Sequence, residues 1–148
     1  MISSLPKSNS LNGRVLFSLM DGIERSPREV CVALNIDLAT AITARIRDLR
    51  KERFGGFYIP KIPRKVGDKV VNFYRLVISE EERVFLKVYK FVSSYPSMTF
   101  YEIAALLDVD CEKTSKILWA LERMGRASHD SGRECSVVGW PEHVWRAA

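Results

Sequence analysis

The chain contains 148 residues, with 23 Lys and Arg against 18 Asp and Glu, which gives a formal net charge of +5. No segment approaches the roughly 18 consecutive apolar residues that a membrane-spanning helix requires, and the opening MISSLPKSNS has no apolar core of signal-peptide length. We therefore expect a cytoplasmic protein with no membrane partner. The length allows one domain or two small ones, since units of about 70 residues lie near the lower limit for an independent core.

The charge is divided unevenly along the chain. Residues 1–78 hold 14 Lys and Arg against 7 Asp and Glu, a net charge of +7, whereas residues 79–148 hold 9 against 11, a net charge of −2. The basic half predicts a polyanionic partner, and the slightly acidic half predicts a different one. The cysteines Cys31, Cys111 and Cys135 are odd in number and widely spaced, which favours reduced thiols over a disulfide framework.

The first elements in chain order are a flexible N-terminus over residues 1–10 and a basic domain over residues 11–78. The first helix of this domain has an apolar face and ends at Gly22. Ser26 is followed three residues later by Glu29, the capping-box pattern in which two side chains satisfy free backbone amides. A short second helix is therefore predicted to begin after Ser26.

A longer amphipathic helix is predicted over residues 38–53, with the apolar stripe Leu38, Ile42, Ile46 and Leu49. Its opposite face combines short polar side chains with long cations, which suits a helix laid in the DNA major groove. Arg can bridge guanine O6 and N7, while Thr and Ala can meet a thymine methyl group or a phosphate. A solvated helix face is the alternative. The candidate DNA-contacting residues of this helix are Thr40, Thr43, Ala44, Arg47, Arg50 and Lys51.

A β-hairpin is predicted over residues 57–76. Two β-rich runs flank the segment PRKVGDK, in which Gly67 and Asp68 supply turn chemistry, and Pro60 and Pro63 confine the first run to a sheet edge. Cations on such a hairpin would meet backbone phosphates or a minor groove. A loop that only promotes solubility is the alternative. The candidate DNA-contacting residues of the hairpin are Arg64, Lys65 and Lys69.

The second half, predicted as a domain over residues 79–148 with a C-terminal tail, repeats this order of elements. The segment TFYEIAALLDVD aligns without gaps with SPREVCVALNID at an offset of 73, so that Thr99 matches Ser26 and again precedes a glutamate by three residues. In the first half, one extra residue falls between the short helix and the core positions of the long helix. We therefore expect a looser turn there.

The second long helix predicts a different surface from the first. Its inward residues are Thr114, Ile117, Leu118 and Leu121, and Trp119 lies on the outward face. An exposed tryptophan is typical of a protein interface; the alternative is that its own hairpin or the other domain covers it. We expect this domain to mediate dimerisation or contact with another protein. The outward residues, which form either a second recognition face or a protein interface, are Glu112, Ser115, Lys116, Trp119 and Arg123.

The second hairpin is predicted over residues 126–140, where only Arg126 and Arg133 lend it positive charge. The closing segment WPEHVWRAA carries Trp140 and Trp145, which we expect to pack back onto the second domain. If these tryptophans were exposed, they would extend an interface around Trp119.

The order of helix, short helix, turn, longer helix and two strands resembles the winged helix-turn-helix fold. In VDCEKTSKILWALERMG, the residues Val109, Leu118, Leu121 and Gly125 stand where that family places its turn hydrophobe, core pair and helix-ending glycine. The run ARIRDLR with a basic hairpin after it is similar to small helix-turn-helix proteins of phages and other mobile elements. The resemblance covers about residues 11–140. It implies a mainly α protein with small β-hairpin wings, built from two such domains in tandem.

The resemblance also implies a function. We expect a sequence-specific protein that binds double-stranded DNA, and a transcriptional regulator of a phage or mobile element in particular. One alternative is an adaptor that uses the same fold to bind a polymerase, a chromosome-partition complex or a host-defence factor. Another is a replication-origin binding protein. A palindromic site would imply a homodimer, whereas two unequal domains could read adjacent half-sites as a monomer.

No constellation of catalytic residues is evident in the sequence. His129 and His143 lie in the second hairpin and the tail, and Cys135 lacks the closely spaced second ligand that a structural zinc site requires. The glycines Gly55 and Gly56 follow a helix rather than opening one, unlike a phosphate-binding loop. We expect a protein that is not an enzyme and uses no metal or cofactor.

Overall fold

A computed structural model of the chain describes residues 2–148. The chain forms two compact units, Met1–Arg83 (unit 1) and Val84–Ala148 (unit 2). Within the described residues there are six α-helices and two antiparallel β-hairpins, so the coarse prediction of helices with small hairpins is confirmed. None of the helices in residues 2–148 is long and apolar enough to cross a bilayer.

Unit 1 consists of three helices and then a hairpin, in the predicted order. Two of these helices begin where side chains satisfy free backbone amides. The Ser10 hydroxyl accepts from the Gly13 N–H at the first helix, and Ser26 forms the predicted capping box with Glu29 at the second. Asn35 ends the second helix in the left-handed conformation, at φ 56°. The elements are α1 (Leu11–Leu19), α2 (Pro27–Leu34), α3 (Ala39–Leu49), a 3₁₀-helix (Glu52–Phe54), β1 (Lys61–Val66) and β2 (Lys69–Tyr74).

The three helices of unit 1 enclose one apolar core. α3 packs on both α1 and α2, and the base of the hairpin closes the core from the side. Burial of one Leu or Ile side chain stabilises the fold by about 1.5–3 kcal/mol, so packing holds these short helices more than their own propensity does. The buried apolar residues include Val15, Leu16, Leu19, Val30, Ile42, Ile46, Leu49, Phe57, Ile59, Tyr74 and Leu76.

The first hairpin pairs β1 with β2 around the two-residue turn Gly67–Asp68. Gly67 has φ 62°, a positive value that glycine adopts readily at the first central position of such a turn. At the base of the hairpin, the backbone of Arg25 exchanges hydrogen bonds of 2.9 and 2.8 Å with that of Tyr74. This contact ties the α1–α2 connection to the hairpin, and the sequence did not predict it.

The N-terminal segment differs from the flexible N-terminus predicted for residues 1–10. Ile2 is 5% exposed and Leu5 is 1% exposed, and the Ser4 hydroxyl donates to the Arg53 carbonyl oxygen at 2.6 Å. The apolar side chains Ile2 and Leu5 therefore pack into the core of unit 1. Two apolar residues in a polar segment show no periodicity, which is why the pattern did not reveal this packing.

Unit 2 repeats the order of three helices and a hairpin. Its first helix begins behind the predicted capping box of Ser79 and Glu82. The units divide after Arg83, inside that helix, whereas the sequence placed the boundary after residue 78. Arg83 belongs to unit 1, where its guanidinium donates to the carbonyl oxygen of Met20. The elements are α4 (Glu80–Ser94), α5 (Phe100–Leu107), α6 (Cys111–Arg123), β3 (Ala127–Glu134) and β4 (Pro141–Ala147).

The internal repeat has the same local geometry in both units. Thr99 opens α5 with a capping box, as Ser26 opens α2. Asp108 ends α5 at φ 53°, close to the φ of 56° at Asn35. The inward residues predicted for α6 are all buried. The apolar core of unit 2 includes Leu86, Val88, Tyr89, Val92, Ile103, Ile117, Leu118, Leu121, Ala127 and Trp145, with Thr114 buried beside them.

The second hairpin is longer than the one predicted over residues 126–140. β3 pairs with β4, which is the segment that the sequence assigned to a C-terminal tail. Gly132 lies where the pairing shifts register, and a Cβ there would stand 2.2 Å from the Glu142 carbonyl oxygen, so only glycine fits. Charged residues interrupt the apolar alternation of β4, which explains why its strand character was missed.

Candidate nucleic-acid interface

α3 is shorter than the helix predicted over residues 38–53. It spans Ala39–Leu49, and Lys51 beyond it has extended backbone geometry at φ −77° and ψ 141°. Leu38, predicted to open the apolar stripe, precedes the helix and is 60% exposed. As predicted, the connection between α2 and α3 is one residue longer than that between α5 and α6. The extra residue leaves Leu38 in the turn rather than in the core.

The outward face of α3 presents four of the residues that were predicted for it, Thr40, Thr43, Ala44 and Arg47. Thr40 and Arg47 are exposed, while Thr43 and Ala44 are half-buried. The Thr43 hydroxyl donates to the Ala39 carbonyl oxygen at 3.4 Å. The Arg47 guanidinium makes no hydrogen bond or ion pair with any residue from 2 to 148. Its five N–H donors are therefore available to a ligand.

Lys51 is paired within the protein, unlike Arg47. Its ammonium group lies 3.3 Å from the carboxylate of Asp48, which also faces Arg45 at 3.4 Å. Burial opposes ionisation of Asp48, but the hydrogen bond from Lys51 and the positive charges of Arg45 and Lys51 hold its pKa below the ordinary value. Part of the positive charge at this end of α3 is thus compensated.

Arg50 joins the end of α3 to the base of the hairpin. Its Nε and Nη2 atoms donate to the Ile59 carbonyl oxygen at 3.2 and 2.6 Å. Its guanidinium carbon also lies 5.8 Å from the centre of the Tyr74 ring. Because Ile59 precedes β1 and Tyr74 ends β2, Arg50 holds the hairpin beside α3. The sequence, which proposed Arg50 as a DNA contact, did not predict this positioning role.

The hairpin register separates the cations into two faces. Cross-strand partners share a face of a sheet, and successive residues alternate between faces. By this rule Lys61, Lys65 and Asn72 share the face of Tyr74. Since Arg50 lies over the Tyr74 ring, this face is the one next to α3. Both lysines are exposed and form no ion pair within residues 2–148.

The opposite face of the hairpin carries Arg64 and Lys69. Arg64 forms a two-pronged ion pair with Glu24, in which Nη2 lies 2.9 Å from Oε2. The hydrogen bond between them lowers the pKa of Glu24 and raises that of Arg64. The sequence treated Arg64, Lys65 and Lys69 as one surface and missed Lys61. Counting back from the turn in steps of two would have grouped Lys61 with Lys65.

Unit 2 contains a surface equivalent to the α3 and hairpin surface of unit 1. Tyr74 and Trp145 each pair with the residue directly before the N-cap of the short helix. They therefore occupy equivalent positions in the two units. Lys61 is the register partner of Tyr74, and His129 is the register partner of Trp145. Lys61 and His129 thus correspond as well.

In unit 2, a cluster of packed aromatic and imidazole rings occupies this surface. Trp119, the counterpart of Arg47, is 38% exposed and packs edge-on against Trp145 and His129, at centroid distances of 4.9 and 5.0 Å. His129 also packs on His143 at 4.6 Å. The sequence left open whether Trp119 is free or covered by its own hairpin. The hairpin of unit 2 covers most of its ring.

The rest of the outward face of α6 offers few unpaired cations. Lys116 lies 3.1 Å from Glu112, one helical turn earlier. Such an exposed pair contributes only about 0.3–0.5 kcal/mol, yet it offsets the local charge. Ser115 is half-buried and Arg123 is exposed. Arg133, one of two cations proposed for the second hairpin, is held in an ion pair with a buried carboxylate at 2.6 Å.

The part of the chain that the structure describes contains no group of three or more His, Cys, Asp and Glu side chains placed to hold a metal ion. Cys31 and Cys135 are buried, Cys111 is exposed, and all three are free thiols.

No protein-family model matches the chain, and no curated protein is significantly similar to it.

Proposed function

We propose that both units are winged helix-turn-helix domains and that unit 1 binds double-stranded DNA without catalysis. In support, each unit has three helices followed by a hairpin, and the residue before its short helix pairs with the second hairpin strand. The turns that lead into α3 and α6 both begin at a left-handed residue, Asn35 and Asp108. A helix presented in this way is the element that such proteins lay in the major groove.

The observation that carries the proposal is the difference between two equivalent surfaces. In unit 1 the surface bears the unpaired cations Arg47 and Lys61, whereas in unit 2 the rings of Trp119 and His129 occupy the corresponding positions. A general need for solubility would not explain why cations stand at these two positions in one unit and rings in the other. A polyanionic partner for unit 1 accounts for the asymmetry.

In the proposed complex, the residues of unit 1 have separate tasks. Arg47 reaches the edges of the bases, where its guanidinium can donate to guanine O6 and N7 together. Thr40, in the first turn of α3, meets a phosphate or a thymine methyl group. Lys61 and Lys65 on the neighbouring face of the hairpin meet backbone phosphates. Arg50 acts on DNA indirectly, because it fixes the hairpin relative to α3.

A small two-domain chain of this kind fits a transcriptional regulator of a phage or mobile element. A homodimer of the chain would select a palindromic site, with half-sites about 34–36 Å apart or a multiple of that distance. A monomer would instead read an asymmetric site. Selection of bound fragments from random duplex DNA, with the mass in solution measured in parallel, distinguishes the two arrangements.

Fluorescence anisotropy with a duplex selected in this way tests the proposed interface. We expect the logarithm of the affinity to fall linearly with the logarithm of the salt concentration, by about 0.9 for each phosphate contact. Arg47→Ala should weaken binding about 5–150-fold and relax specificity at one base pair. The double variant Lys61→Ala and Lys65→Ala should reduce the salt slope by about 2.

Lys90→Ala is the matched control, because Lys90 is an exposed cation on α4 with no ion pair within residues 2–148. It should change neither the affinity nor the salt slope. A binding constant that does not depend on salt would contradict the proposal. So would a loss for the Lys90 variant as large as that for the variant of Lys61 and Lys65.

Contact with another protein through unit 2 is the second candidate function. Trp140 is 53% exposed, its ring centre lies 6.4 Å from that of Tyr101, and the neighbouring Val137 is 52% exposed. Exposed aromatic clusters are typical of protein interfaces. If the partner is a second copy of the chain, Trp140→Ala should weaken self-association in sedimentation experiments without lowering DNA affinity. A chain that is monomeric at all concentrations would exclude this partner.

A further inference from the structure

The outer face of the first hairpin, on the side opposite α3, carries apolar side chains from its base to its tip. The bridge between Tyr58 and Val77 continues the register of β1 and β2, and successive residues alternate between the two faces. Tyr74 lies on the face next to α3, so its neighbour Phe73 and the cross-strand partner Ile62 lie on the outer face. The apolar residues of the outer face are Tyr58, Ile62, Val66, Val71, Phe73 and Val77.

An antiparallel hairpin with one face on a core usually presents polar residues on its other face. The hairpin of unit 2 follows this rule, because its outer face carries, besides one valine, Ser128, Asp130 and Arg146, and the last two form an ion pair. The hairpin itself therefore does not require an apolar outer face. A solvent-exposed apolar face of this kind indicates an interaction surface. In unit 1 the exposed fractions are 65% for Tyr58, 54% for Val66 and 38% for Val77.

Cations accompany these apolar side chains on the outer face. Lys69 lies at its tip and Arg75 near its base, and neither forms an ion pair within residues 2–148. Arg64, between them, is neutralised by Glu24. Two outer faces packed against each other would bring like charges together, which disfavours that arrangement. The complementary partner is therefore a surface that is both apolar and acidic.

Unit 2 presents such a surface at the loop that joins β3 to β4. Val137 is 52% exposed and Trp140 is 53% exposed. Glu134 before the loop and Glu142 after it form no ion pair within residues 2–148. Arg133, the cation beside them in the sequence, is held by its buried carboxylate partner. The loop is thus apolar, with two carboxylates beside it that no cation neutralises.

We propose that the outer face of the first hairpin in one copy of the chain binds the β3–β4 loop of a second copy. This inference rests on the second candidate function, self-association through unit 2, and identifies the surface that the loop meets. The valine and tryptophan of the loop pack on the apolar face, while the two glutamates meet Lys69 and Arg75. Because the outer face lies opposite the one next to α3, self-association leaves Lys61 and Lys65 available to DNA.

Charge reversal on each side of the contact, followed by sedimentation of the full chain, tests the proposal. The face variant is Lys69→Glu with Arg75→Glu, and the loop variant is Glu134→Lys with Glu142→Lys. Each variant alone should raise the dissociation constant of self-association by about tenfold or more, because like charges then meet. An equimolar mixture of the two should restore association, since opposite charges meet again. The matched control, Lys87→Glu with Lys90→Glu on exposed positions of α4, should associate as the wild type does.

Ile62→Thr together with Val71→Thr tests the apolar part of the contact without changing any charge. Both changes keep β-branching but place a hydroxyl on the outer face. We expect self-association to weaken by about tenfold, with the urea transition followed by circular dichroism showing that the variant remains folded. If this variant does not fold, the charge-reversal pair still decides the question.

Three results would overturn the inference. The first is self-association of the loop variant at wild-type strength while the face variant is monomeric, which would assign the contact to two outer faces. The second is a mixture that does not restore association. The third is wild-type association of both charge variants while Trp140→Ala weakens it, which would leave self-association through unit 2 standing. If the wild type is monomeric at all concentrations, self-association and this inference both fail.

Discussion

Replacing Glu102 by Gln removes the charge at the centre of a buried network in unit 2. The Glu102 side chain is only 7% exposed. Its carboxylate accepts hydrogen bonds from the Arg133 guanidinium at 2.6 Å, the Ser136 hydroxyl at 2.6 Å and the Thr99 N–H at 3.0 Å. Because Arg133 lies on β3 and Ser136 follows it, the network holds the second hairpin against the start of α5.

The magnitude of the effect follows from the pKa of Glu102. Burial opposes ionisation, but the hydrogen bonds from Arg133, Ser136 and Thr99 outweigh it and lower the pKa from 4.5 to about 2. A lowered pKa means that the ionised form stabilises the folded state. The contribution is complete above pH 4.5 and disappears as the pH falls towards 2. At neutral pH it amounts to about 3 kcal/mol, an upper figure since Arg133 is partly exposed.

Urea unfolding followed by tryptophan fluorescence is the assay, because all three tryptophans lie in unit 2. We expect Glu102→Gln to lower the free energy of unfolding by about 2–3 kcal/mol at pH 7 and by less than half of that at pH 3. Glu112→Gln is the matched control, because its exposed ion pair with Lys116 is worth less than about 0.5 kcal/mol. A loss for the Glu102 variant that is equal at both pH values, or below about 0.5 kcal/mol at pH 7, would refute the reasoning.

Two further predictions concern packing around the candidate interface. Trp119→Ala should lower the free energy of unfolding of unit 2 by about 2–4 kcal/mol in urea, because its ring packs on the second hairpin. Unchanged urea unfolding with a loss of partner binding would show that the ring serves only as a contact for a partner. Arg50→Ala should destabilise unit 1 by about 1–3 kcal/mol, measured by circular dichroism during urea unfolding, because the Ile59 carbonyl oxygen loses its charged donor. DNA affinity should fall with it, and full stability with normal affinity would remove Arg50 from its positioning role.

Local chemistry in the sequence accounts for the parts of the fold that were predicted correctly. The capping boxes at Ser26, Ser79 and Thr99 involve residues three positions apart, so their geometry is contained in the sequence itself. The turn at Gly67 and Asp68 is likewise a two-residue signal. The repeat at an offset of 73 shows that these local choices occur twice in the same order.

Distant contacts account for the parts that were predicted wrongly. The residues after Leu49 include good helix formers, yet the Leu49 carbonyl oxygen accepts from the N–H of the buried Phe57 at 2.9 Å and α3 ends. Ile2 and Leu5 are buried because unit 1 offers them an apolar site. The pattern of their own segment does not predict this burial. β4 exists because β3 supplies its hydrogen-bond partners.

In the candidate interface too, local sequence patterns and distant contacts determine different features. The sequence by itself determined that unit 1 is basic and that Arg47 lies on the outward face of α3, because helical periodicity sorts faces without any tertiary information. Only the tertiary structure decided which cations remain unpaired. Arg64 is paired with Glu24, and Arg50 is bound to the hairpin, whereas Lys61 is free within residues 2–148. Ion pairs form between residues that folding brings together, so a count of charges along the chain cannot separate a paired cation from an available one.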